Sequence, residues 1–157
     1  MSSSLAHSPA EIVQQLLLDR GLATDPELDG AWPAFVSKLP SRPDEALACV
    51  DVSGSMHGRL QYNGKVPCHY GVQLILRSRD ASAGYVKLNN IAVSLTQQLV
   101  RQTVAVYTTD YLVQSVIQAS EVLALGRESP FSGNEGETSD CQLNSLSILI
   151  SVKQTSS

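Results

Sequence analysis

Asp51, Ser53 and Ser55 stand at D-x-S-x-S spacing at the end of an apolar run, residues 46–52. One carboxylate and two hydroxyls placed in this way can converge on Mg²⁺, a hard cation that takes oxygen ligands. The other chemistry-bearing residues form weaker patterns. His7, His57 and His69 lack the short ligand spacings of a zinc site. Cys68 adjoins His69, but neighbours on a strand point to opposite faces, which keeps a base from reaching a nucleophile. Cys49, Cys68 and Cys141 are odd in number and form no CxxC pair, so they read as reduced thiols of a cytosolic protein. The late acidic residues Glu128, Glu135, Glu137 and Asp140 do not match a calcium loop. No phosphate loop, nucleophile elbow or dinucleotide fingerprint occurs. The chain therefore reads as a non-enzyme that needs no cofactor.

The elements that must position these residues follow from local signals. Ser8-Pro9-Ala10-Glu11 is a helix start, with Ser8 as cap, Pro9 at the first helical position and Glu11 closing a capping box. Ile12, Val13, Leu16 and Leu17 then share one face, and Gly21 stops the helix, predicting a helix over 8–21. Trp32-Pro33 opens a short extended stretch, with Pro33 favouring a sheet edge. Residues 46–52 predict a buried strand. Residues 53–67, rich in glycine, predict a loop or an irregular hairpin arm.

Residues 69–78 alternate at period two and predict a long strand. Leu88, Ile91, Ala92, Leu95 and Leu99 form the apolar stripe of a second helix, over 84–102. Residues 104–107 predict a strand, 108–110 a turn, and 111–119 another strand. The last strand falls within 143–153. The runs 111–119 and 143–152 predict an antiparallel hairpin over 111–153, with a flexible loop at 126–140. The whole is a single α+β domain, residues 1–157: a mainly antiparallel sheet packed by two helices, with a long C-terminal hairpin.

Composition sets outer limits. With 43% hydrophobic residues the chain can bury one core. Eleven basic residues against fifteen acidic, with no basic run, disfavour a dedicated nucleic-acid binder. No stretch approaches the ~20 apolar residues that span a bilayer, and residues 1–9 do not form a signal peptide.

Two resemblances bear on function. The Asp51-x-Ser53-x-Ser55 spacing is similar to the metal-ion-dependent adhesion site of von Willebrand factor A domains, which implies a metal-dependent interaction domain. That family starts a helix directly after the motif, whereas residues 57–64 carry two glycines and no helical stripe. A strand end followed by a glycine turn is the simpler reading.

The second resemblance rests on residues 71–78, a strand ending in Arg77, followed by Tyr85-Val86-Lys87-Leu88 and a helix. Trp32-Pro33, Leu39-Pro40 and Leu143-Asn144 add to it. Over residues 11–153 the chain resembles siphophage tail-terminator, or minor capsid, proteins. The resemblance implies a virion structural protein: a homo-oligomeric ring, a hexamer, at the neck end of the tail. Such a ring caps the tail tube, meets the head–tail connector and lets DNA pass through its lumen without specific binding. A different neck or adaptor protein is the near alternative.

A ring needs two unlike patches per subunit. The first helix and the hairpin, through Tyr111, Gln114, Gln118, Arg127 and Asn144, are the expected contacts. Glu135 and Glu137 in the loop are expected to reach tube or connector. Arg77 and Arg79 are expected to pair with acidic groups of a neighbour, or to be solvated.

Overall fold

In a computed structural model, the structure describes residues 5–28, 30–40, 44–56, 68–97, 101–127 and 141–155. The first helix, α1 (Pro9–Asp19), begins where the capping signal places it: Ser8 Oγ accepts from the Glu11 N–H at 3.3 Å, and Pro9 is helical. Arg20 caps its end and Gly21 follows at φ 70°, a conformation glycine adopts without steric cost. Three strands come next: β1 (Ala34–Val36), β2 (Ala46–Met56) and β3 (Cys68–Ser78). The second helix, α2 (Ala81–Gln97), is followed by β4 (Gln102–Val106), β5 (Thr109–Gln118), β6 (Leu123–Arg127) and β7 (Gln142–Gln154).

The strands form one seven-stranded sheet in the order β1-β2-β3-β7-β5-β4. Among these described strands the β1–β2 pairing is parallel and the other pairings are antiparallel. The fold class is α+β, as the order of periodicities predicts. β5 and β6 share one edge of β7: β5 pairs with Ile148 to Gln154, β6 with Gln142 to Ser145.

Four local expectations shift. The second helix, expected over 84–102, is Ala81–Gln97: Asp80 Oδ1 accepts from the Ser82 N–H at 3.0 Å and starts it earlier, Gln102 already belongs to β4, and Leu99 lies outside the described residues. β6 is a strand where none was predicted, because the run at 123–127 is short, has no β-branched or aromatic residue and contains Gly126. The turn expected at 108–110 lies at Tyr107-Thr108, since Thr109 pairs with Val106 across a two-residue hairpin. β2 does not stop at Val52 but continues through a bulge to Met56, opposite Cys68.

One face of the sheet holds the core. Val72, Leu74 and Leu76 of β3 lie beside Ile148, Leu146 and Asn144 of β7, and all are buried. Both helices press on this face. α1 contributes Ile12, Val13, Leu16 and Leu17, and α2 contributes Leu88, Ile91, Ala92 and Leu95. α1 touches β1 at one end of the strand order and β4 at the other, so the sheet curls around it. Arg20 fastens the two helices, donating from Nη1 to the Ser94 carbonyl at 2.7 Å and from Nε to Gln102 Oε1 at 2.8 Å. Among the described residues, no helix is long and apolar enough to cross a membrane.

Candidate functional site

The D-x-S-x-S motif sits on β2, where Asp51 pairs with Val72 and Ser55 with His69. Asp51 therefore shares the helix-facing side of the sheet with Cys49. Its Oδ1 accepts a hydrogen bond from the backbone N–H of Ala10 at 2.9 Å. That N–H is one of the donors a helix start leaves without an intrahelical partner, and it carries the positive end of the helix dipole. The carboxylate thus caps α1. The side chains of Ser53 and Ser55 lie outside the described residues. Among the described residues, no three His, Cys, Asp or Glu side chains group as metal ligands would. Beside Asp51, burial and the nearby carboxylate charge push the Cys49 thiol up from 9.0 to about 12. Such a thiol is inert as a nucleophile near neutral pH.

The strand–arginine–helix unit folds as one continuous piece, β3 into α2, through Arg79 and Asp80. Its two arginines have different fates. Arg77 is only 1% exposed and donates from Nε to the Asp44 carbonyl at 3.2 Å. Arg79 is 73% exposed and donates from Nε to the Asp44 carboxylate at 2.7 Å. Arg77 is thus corrected from a presented charge to a core residue, because it packs beside the chain leading into β2. Arg79 stays on the surface, with an acidic partner in its own chain.

Two further candidates are also interior. Tyr111 is fully buried, its hydroxyl 2.7 Å from His7 Nδ1, and His7 packs edge-on against the same ring. Asn144 is fully buried on the helix-facing side. Its carboxamide has no hydrogen-bond partner among the described residues. Neither side chain is available to a partner in this conformation, because each faces the core where surface presentation was expected. Gln114 and Gln118 are exposed on β5; Gln114 Oε1 accepts from Ser151 Oγ at 3.2 Å, and Gln118 donates to the Ser120 carbonyl at 2.9 Å. The Arg127 side chain, and Glu135 and Glu137 entirely, lie outside the described residues.

One concavity has no counterpart in the sequence reading. A cleft of about 450 Å³ opens between α1, the 25–27 turn, β1 and the β4–β5 hairpin. Leu18, Phe35 and Val36 line it, and Glu11, Asp25 and Glu27 set three carboxylates around it. No lysine, arginine or histidine belongs to the described lining. Tyr107 forms part of the lining, 88% exposed and held at φ 54° by the tight hairpin. The cleft joins residues distant in sequence, so no local pattern could have marked it.

On its β4–β5 side the cleft lies beyond the Gln154 end of β7, since Tyr107 precedes Tyr111, whose partner is Gln154; on its β1 side Phe35 and Val36 stand, through β2 and β3, level with Ser145 and Leu146. The first turn of α2 lies toward the Gln142 end, since β3 finishes with Ser78 opposite Gln142. On α2, Tyr85, Val86, Asn89, Asn90 and Val93 are exposed, an uncharged face on a surface helix. Lys87 beside them is half-buried, and burial lowers its ammonium below the usual lysine range. No known protein family matches the chain, and no curated protein matches it either.

Proposed function

We propose that the chain is a structural subunit of a bacteriophage tail. It forms a ring, a hexamer, that caps the tail tube, ends its growth and joins the tail to the head connector. The observation that carries this reading is the continuity of β3, which holds Arg77, with α2 through Arg79 and Asp80, the unit on which the resemblance to tail terminators rests. The sheet adds support, because β1 and β4 end the strand order and each pairs on one side only among the described residues. Edge strands of this kind can pair with a neighbour's sheet. In this reading the β5–β6/β7 arm is the long hairpin, and its 126–140 tip reaches tube or connector.

The subunit acts by shape and edges, in the virion, after synthesis in the host cytoplasm. DNA passes through the ring without specific contacts, in keeping with a net charge of −4. Asp51, engaged at the start of α1, weighs against the metal-dependent alternative.

The test is light scattering and electron microscopy of the purified chain, alone and mixed with tail tubes. The expected result is rings, or caps on tube ends. A chain that stays monomeric and never caps a tube overturns the proposal. Binding to connector complexes but not to tubes would favour a neck adaptor instead.

A further inference from the structure

Heterologous association requires that one subunit carry two unlike, complementary patches, so that copies join head to tail. The described surface offers such a pair. One patch is concave: the cleft of about 450 Å³ with Leu18, Phe35 and Val36 in its lining, three carboxylates and no cation among the described lining residues. The other is convex: the outer face of α2, where Tyr85 is 43% and Val86 55% exposed. Asn89, Asn90 and Val93 continue that face without a charge. The outer face of a surface helix is ordinarily charged and polar. An uncharged face with apolar side chains and a lysine at its flank is what a contact surface requires.

Charge chooses the pairing. Lys87 is half-buried and makes no ion pair with another described residue. An ammonium that has lost water without gaining a carboxylate is poorly satisfied. Glu11, Asp25 and Glu27 are carboxylates around an apolar cleft, with no cation in its described lining. Each patch holds what the other lacks.

We infer that the acid-lined cleft receives the Tyr85–Val86–Lys87 shoulder of a second copy of this chain, with Lys87 pairing to the neighbour's Glu27 or Glu11. The inference rests on the ring reading above and names the two surfaces that would build the ring.

The test uses charge reversal on the full chain. Lys87→Glu and Glu27→Lys each weaken self-association by about tenfold or more, the equivalent of one lost rim pair and its repulsion. The combined Lys87→Glu/Glu27→Lys chain recovers most of that loss, whereas two unrelated defects would add. Circular dichroism melts establish that each variant folds. Carbodiimide treatment of wild-type assemblies, followed by peptide mass spectrometry, should give an inter-subunit amide between Lys87 and Glu27 or Glu11. Rings that form normally in both single variants, with no such cross-link, overturn this interface and leave the ring reading intact. A wild-type chain that never self-associates, alone or on tubes, overturns both. Retained rings combined with loss of tube capping in Glu27→Lys alone would show that a basic partner segment, not a second copy, occupies the cleft, and would overturn the inference.

Discussion

Asp51 Oδ1 accepts a hydrogen bond from the backbone N–H of Ala10 at 2.9 Å, tying the middle of β2 to the first turn of α1. The contact gives the most motif-like carboxylate of the sequence a structural task. Asp51→Ala should lower stability by about 1 kcal/mol, the usual loss on removing a helix-capping acceptor. Asp51→Asn, which keeps an acceptor oxygen, should recover most of it. Thermal melts with and without millimolar Mg²⁺ should give the same differences. A magnesium-dependent rise in wild-type Tm that vanishes in Asp51→Ala would restore the metal reading.

Gly84 of α2 lies against Asn144 of β7 with no room for a side chain. A Cβ on Gly84 would stand 2.6 Å from Asn144 Nδ2, 2.7 Å from Ser78 Oγ and 2.9 Å from Leu76 Cδ2. Alanine is favoured over glycine in a helix by about 1 kcal/mol. Here overpacking, at about 1–3 kcal/mol, should outweigh that gain, so Gly84→Ala should lower Tm. The buried carboxamide, without a partner among the described residues, predicts the opposite response at Asn144. Asn144→Leu, of similar shape, should hold or raise stability by about 1 kcal/mol in urea melts.

Arg77 and Arg79 separate by burial. Arg77→Ala removes a buried stem and its hydrogen bond to the Asp44 carbonyl, and should cost at least about 2 kcal/mol. Arg79→Ala removes an exposed ion pair and should cost less than about 1 kcal/mol. Equal losses in chemical denaturation would refute the distinction.

These two arginines also show where sequence reasoning stops. Local signals were legible: Ser8, Pro9 and Glu11 announce α1, Gly21 ends it, and the alternation of Val72, Leu74 and Leu76 marks β3. Each is a statement about neighbours within one helical turn or one strand. Burial of Arg77 depends instead on the approach of Asp44, and burial of Asn144 on the packing of Gly84, both set by tertiary contacts. The parallel pairing of β1 with β2 has no local signature. The cleft needs α1, β1 and the β4–β5 hairpin to meet through the curl of the sheet. Periodicity therefore revealed the elements other than β6, and their order, while the surfaces available to partners required the fold.

The Cys49 thiol supplies a pH prediction. Its folded pKa, about 12, lies above the unfolded 9.0. A thiol so shifted contributes its full stability below pH 9, and loses it as pH rises through 9 toward 12. The loss is about 1.4 kcal/mol per pH unit within that window, an order-of-magnitude figure. Cys49→Val removes the ionisable group, so its stability relative to wild type should improve steadily from pH 9 to 11. Parallel curves for the two chains in guanidinium melts would contradict this.

Tyr107 sets stability against assembly. Its φ of 54° is a left-handed conformation that bulky side chains disfavour, imposed by the two-residue turn between Val106 and Thr109. Asparagine adopts that conformation more readily, so Tyr107→Asn should stabilise the fold by up to about 1 kcal/mol. The ring is almost wholly exposed and also contacts His7, 5.8 Å away between centroids, which offsets part of that gain. At the cleft, however, the same substitution removes an aromatic surface suited to a neighbour's apolar shoulder. A variant that melts at or above the wild-type temperature yet self-associates more weakly would separate the two roles. Unchanged assembly in a stabilised Tyr107→Asn chain would confine this residue to the turn.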